Sequence, residues 1–169
     1  MAALGFLGDK MKGIFQAQFV ASDTWSSRLI RYLTNSPISH VDIVMPDGQL
    51  LGALPDGVKI RPANYGNWTT VYREVLDVDD LDAILEFAKA QIGKPYNYRA
   101  IWDMVRHKER AFQMQQSSWF CDELVYASVM AGKIHLLNTD DPLYLTPFEV
   151  YLSSMWRSAA TKVASVVQA

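Results

Sequence analysis

The spacing of apolar positions changes character along this chain: strand-like in the first half, helix-like in the second. Ile14–Val20 (IFQAQFV) alternates loosely and reads as a strand. Ser22 or Asp23 then caps a helix over Thr24–Thr34, with Trp25, Leu29, Tyr32 and Leu33 as its apolar stripe. Asn35-Ser36-Pro37 stops it, because the residue before a proline disfavours the α region. Ile38–Met45, Pro46-Asp47-Gly48 and Gln49–Leu54 predict two strands around a tight turn. Pro55-Asp56-Gly57 turns the chain again before Val58–Arg61, and Thr69–Leu76 is the last clear strand. From there the period lengthens. Asp79 or Asp80 caps a helix through Ile92 with Leu81, Ile84, Leu85, Ala88 and Ile92 on one face, stopped by Gly93. Tyr98–His107 is a second helix, and a polar connector (KERAFQMQQSS) follows. Phe120–Ala131 is helical up to Gly132, and Thr146-Pro147-Phe148-Glu149 is a capping box opening a helix to about Trp156. This order predicts an α+β fold, a small antiparallel sheet or half-barrel packed against helices. No linker or repeat divides the chain, so residues 1–169 read as one domain with a core over about 14–156 and an unplaced tail, 157–169.

Composition narrows the function. Half of the 169 residues are hydrophobic and one fifth are charged, a globular balance. A formal charge of -2 leaves no basic footprint for nucleic acid. No apolar run approaches the ~20 residues of a membrane span. Gly5, Gly8, Asp9 and Lys10 interrupt the N-terminal apolar stretch, so no signal peptide is expected and the protein is expected to mature in the cytoplasm. One cysteine can form neither an internal disulfide nor a multi-thiolate zinc site. His40, Asp42, Asp140 and Asp141 show no ligand spacing, so neither metal nor cofactor is expected.

The candidate chemistry is a thiol and an imidazole. Trp119-Phe120-Cys121-Asp122-Glu123-Leu124-Val125 sets Cys121 in the first turn of a helix, where free N–H groups and the macrodipole favour a thiolate. Asp122 and Glu123 oppose that charge unless they turn away. On position alone, Cys121 reads first as a small apolar filler beside Trp119 and Phe120. In Ser39-His40-Val41-Asp42-Ile43-Val44 the period of two puts His40, Asp42 and Val44 on one face. If that face meets the Cys121 helix, His40 can take the thiol proton and pass it to a leaving group. His107 lies in a charged stretch and His135 follows a helix stop, so both are weaker candidates.

Taken together, Ser39-His40-Val41-Asp42-Ile43, Gly93-Lys94-Pro95-Tyr96-Asn97-Tyr98 and Ser118-Trp119-Phe120-Cys121-Asp122-Glu123-Leu124-Val125-Tyr126 resemble the circularly permuted branch of the NlpC/P60-type papain-like superfamily, in that order, over about Phe15 to Gly132. The resemblance implies Cys121 as nucleophile and His40 as base. It sets Tyr96 or Tyr98 near the cleft, with Ser39 and Trp119 as substrate contacts. The family's third polar residue, which orients the histidine, falls near Gly52, which has no side chain to offer. Asp42 is the first substitute, then Asp56 or a backbone carbonyl.

The leading expectation is therefore a thiol hydrolase of amide bonds acting through an acyl-enzyme on peptide or peptidoglycan, with the Cys121 N–H helping to hold the oxyanion. A wall substrate without an export signal suits a phage-encoded protein carried in a virion or released at lysis. The alternatives are a lipid acyltransferase or thioesterase of the same fold, and a non-catalytic binding or virion-structural module with protein partners.

Overall fold

The computed structural model describes residues 11–106, 114, 116–137, 146–153 and 155–156. His107, Asp140, Asp141 and the tail 157–169 lie outside the described residues. The strands are β1 (Gly13–Ser22), β2 (His40–Val44), β3 (Leu50–Leu54), β4 (Gly57–Arg61) and β5 (Trp68–Val78). They form one antiparallel sheet in the order β4-β3-β2-β1-β5, curled as a half-barrel. β1 and β5 pair from Gly13↔Val78 to Ser22↔Trp68, with the register slipping between Ala21 and Ser22. Met45 N donates to Gln49 O at 2.8 Å and Gly48 N to Met45 O at 2.8 Å, which closes the β2–β3 turn; Gly48, at φ 82°, takes its left-handed corner.

The helices are α1 (Trp25–Thr34), α2 (Leu81–Lys89), α3 (Tyr98–Val105), α4 (Cys121–Ala131) and α5 (Pro147–Leu152). Three differ from the sequence expectation. α1 is capped by Thr24, which accepts from Ser27 N, rather than by Ser22 or Asp23. Its expected apolar stripe is not its buried face: Ser27 and Ile30 go inward, while Trp25 and Tyr32 are 77% and 83% exposed. α2 stops at Lys89, and Ile92 lies outside the helix, exposed. α5 ends at Leu152, short of Trp156.

α4 is apolar on nearly every side, the pattern of a helix buried all round. It lies against α2 and α5 and crosses β2 and β3. Phe15, Phe19, Ile43, Leu51, Ile84, Leu124 and Trp156 belong to one shared core between sheet and helices. Among the described residues, no helix is long and apolar enough to cross a membrane.

Candidate functional site

His40 opens β2, and the pleat turns its side chain to the same face as Asp42. Both are buried. His40 Nε2 lies 2.8 Å from Asp42 Oδ1. The Tyr65 hydroxyl donates to Asp42 Oδ2 over 2.8 Å and stands 3.2 Å from the same ring nitrogen. One carboxylate thus holds both the imidazole and a phenol. With Asp42 ionised, the ring proton sits on Nε2 and Nδ1 is the basic nitrogen. Burial, and then the Asp42 charge, push the Tyr65 hydroxyl far up, so it acts as a donor. Trp68 stacks on the imidazole, centroids 6.0 Å apart and 15° from parallel.

Gly52 explains how Asp42 reaches this position. The β2–β3 ladder pairs Val44 with Leu50 and Ile43 with Leu51. One further step in that register sets Asp42 against Gly52. A Cβ built on Gly52 would overlap the Asp42 carboxylate, with the Asp42 Cγ only 3.0 Å away. The missing side chain on β3 is therefore the space that the β2 carboxylate fills. Asp56 plays no part: it is paired with Lys59 and Arg61 on the surface, and those cations, Lys59 first, hold its carboxyl below the usual range. Arg61 also donates to the Gly52 carbonyl at 3.1 Å and lies over the Tyr65 ring, bracing both neighbours of Asp42.

Cys121 opens α4. The backbone N–H groups of Val41 and Asp122 bond to its sulfur, so the thiol lies against β2 one residue beyond His40. Burial is the largest influence on this thiol and pushes it up; the negative charge of Asp122 acts the same way, and the two N–H groups act against it. The net direction is up, so the resting group is a thiol. Asp122 is itself buried, and burial followed by the nearby Glu123 favours its neutral form, which relieves its opposition to a thiolate. Its Oδ2 has no hydrogen-bond partner among the described residues. Glu123 turns back to cap α4, accepting from Phe120 N at 3.1 Å and from Asn97 Nδ2 at 3.4 Å.

A cleft of about 540 Å³ lies over His40, between α1, α3 and the loop that leads into β5. Ser39, His40, Tyr65, Tyr96 and Tyr98 all line it. Cys121 is not among them: it is 1% exposed. Burial pushes the Tyr96 hydroxyl far up, with the Cys121 charge as the next cause. Tyr98 is half exposed and donates to the Pro55 carbonyl at 3.1 Å. Trp119, expected to touch substrate, is instead fully buried, its Nε1 donating to Gln91 Oε1 at 3.1 Å. His135 is exposed, away from the cleft-lining residues. Tyr65 and Trp68 were not visible as site residues in the sequence; the only sign is an aromatic pair in the irregular stretch after Pro62.

No family model matches the chain, and no curated protein matches it. Among solved structures it is similar to the metalloprotein YiiX from Escherichia coli O157:H7, described as DUF1105, with a TM-score of 0.60 and 18% identity over 87% of this chain and 94% of that one. At that identity the likeness shows a shared fold alone. It is to a different family, and this overturns the NlpC/P60-type resemblance drawn from the His40, Tyr96 and Cys121 segments. Each of those motifs is short, and a short motif match is a hypothesis that its context has to confirm. The neighbour is called a metalloprotein; among the described residues of this chain no three His, Cys, Asp or Glu side chains are grouped to hold a metal ion.

Proposed function

We propose that this protein is a thiol-dependent hydrolase that cleaves a carbonyl substrate through an acyl-enzyme on Cys121. The observation that carries the reading is the His40–Asp42–Tyr65 array built on β2, the strand whose Val41 N–H bonds to the Cys121 sulfur. His40 Nδ1 takes the Sγ proton as sulfur attacks the carbonyl carbon, because a thiol held up by burial is not a standing thiolate. The imidazolium then protonates the leaving group and the acyl thioester remains. Water, losing a proton to Nδ1, attacks the thioester and releases the acid and the thiol. Asp42 keeps the Nε2–H tautomer and steadies the imidazolium, and the Cys121 N–H at the start of α4 faces the developing oxyanion. The finer fold reading, a papain-like arrangement with the histidine ahead of the cysteine, is part of this proposal. Amide bonds of peptide or peptidoglycan and acyl bonds of lipids both suit the chemistry.

A second reading, a non-catalytic module, is favoured by one observation: the burial of Cys121. Alkylation by iodoacetamide against pH, in wild type and His40→Ala, separates the two. The expected result is labelling of the native wild type that His40 assists, slower in His40→Ala at every pH, with a loss of roughly 10²–10⁴ in Cys121-dependent turnover in that variant. Identical pH profiles in the two proteins, or labelling only after denaturation, would overturn the catalytic reading.

A further inference from the structure

We infer that the cleft above His40 takes a hydrocarbon acyl chain, which makes the substrate class an acyl ester, thioester or amide; this rests on the hydrolase reading above. A volume of about 540 Å³ is ample for such a chain. Apart from His40, no residue that lines the cleft has an ionisable acid or base other than tyrosine. A peptide with charged termini or side chains would leave those charges unpaired there. The hydroxyls along the α1 wall are occupied with one another: Ser27 Oγ lies 2.6 Å from Ser39 Oγ, and Ser22 Oγ lies 2.9 Å from Thr24 Oγ1. Tyr98 likewise spends its proton on Pro55. Asn67 is the one side-chain amide on the lining, and Leu29, Ile30, Leu54, Pro55 and Ile101 give the cleft an apolar wall.

The mouth of the cleft points the same way. Trp25 and Trp102, one from α1 and one from α3, both line it while 77% and 62% exposed. Two tryptophans left half in water at the lip of an apolar cleft suit a chain that enters with its methyl end first or is drawn from a lipid surface. The reacting carbonyl then lies at the His40 end.

Two measurements keep this inference separable from the hydrolase reading. Binding of a fluorescent undecanoic acid to Cys121→Ala needs no turnover. The kcat/KM of p-nitrophenyl thioesters of two to twelve carbons needs both. The expected outcome is saturable binding, weakened at least tenfold in Trp25→Ala/Trp102→Ala, and a kcat/KM that rises up to about fourfold per methylene until the cleft is full. Cosedimentation with phosphatidylcholine vesicles, with and without the two tryptophans, tells a lipid-surface source from a soluble acyl donor. Binding without turnover would support the cleft and sink the hydrolase. Turnover with no dependence on chain length, together with no fatty-acid binding, would overturn the acyl cleft and leave the hydrolase standing.

Discussion

Replacing Gly52 with alanine adds one methyl group to a buried strand and removes the space that Asp42 occupies. Neither β2 nor β3 can simply step aside, because both lie under α4. The carboxylate must therefore leave its two bonds, to His40 Nε2 and from Tyr65. Bonds to a charged group are each worth about 1.5–3 kcal/mol, so the pair amounts to about 3–6 kcal/mol. If the transition state depends on both, the rate falls by roughly 10²–10⁴, at about 1.4 kcal/mol per tenfold. Overpacking costs a further 1–3 kcal/mol of stability, roughly 2–4 °C in Tm for each kcal/mol in a domain of this size. The assay is kcat/KM on a thioester substrate, alongside thermal unfolding to show that the variant is folded. Asp42→Ala and the double variant complete a cycle: if Gly52 acts through Asp42, adding Gly52→Ala to Asp42→Ala changes the rate little further. A folded Gly52→Ala protein within threefold of wild type, or two effects that multiply independently, would refute the reasoning.

Tyr65→Phe removes the donor to Asp42 and the neighbour of His40 Nε2 while keeping the ring under Arg61. Turnover is expected to fall about tenfold to a hundredfold with little change in Tm, and an unchanged rate counts against Tyr65 as a positioning residue. Asp122 bears on stability instead. Its proton is held more tightly folded than unfolded, so the native chain binds more protons above the unfolded value near 3.9, and stability falls with rising pH by up to about 1.4 kcal/mol per unit through the folded value. Asp122→Asn keeps an Oδ1 acceptor for the 2.7 Å bond from Glu123 N and lacks this loss. Urea unfolding at pH 4 to 7 is expected to show its advantage growing with pH, and parallel curves contradict the assignment.

Much of this site was legible in the sequence. Pro46-Asp47-Gly48 marked the hairpin because few turns tolerate anything else there, and the period of two put His40 and Asp42 together. Cys121 stood out because it opens a helix. Gly52 was read as a gap, since a side chain arriving from the neighbouring strand leaves no mark at the position it occupies. Tyr65 escaped because its loop carries no period and its partners lie over twenty residues away. The stripe on α1 misled for another reason. Trp25 and Tyr32 obey helical spacing, but the sheet takes Ile30 and Ser27 and leaves the aromatics outside.

The β2–β3 ladder stops short of Val41, whose N–H instead serves a sulfur that follows roughly eighty residues later along the chain. Closing a loop of that length costs about 4 kcal/mol of chain entropy, which only the finished core offsets. No local piece of the chain can hold the Cys121 sulfur against the Val41 amide, so that contact exists only when β2 and α4 are assembled. An opening that parts β2 from α4 frees the Val41 amide to exchange with water and uncovers Cys121 in the same motion. The fluctuation that unlocks the fold and the one that uncovers the Cys121 thiol are then a single event, and alkylation of this cysteine is expected to keep time with exchange of the Val41 amide.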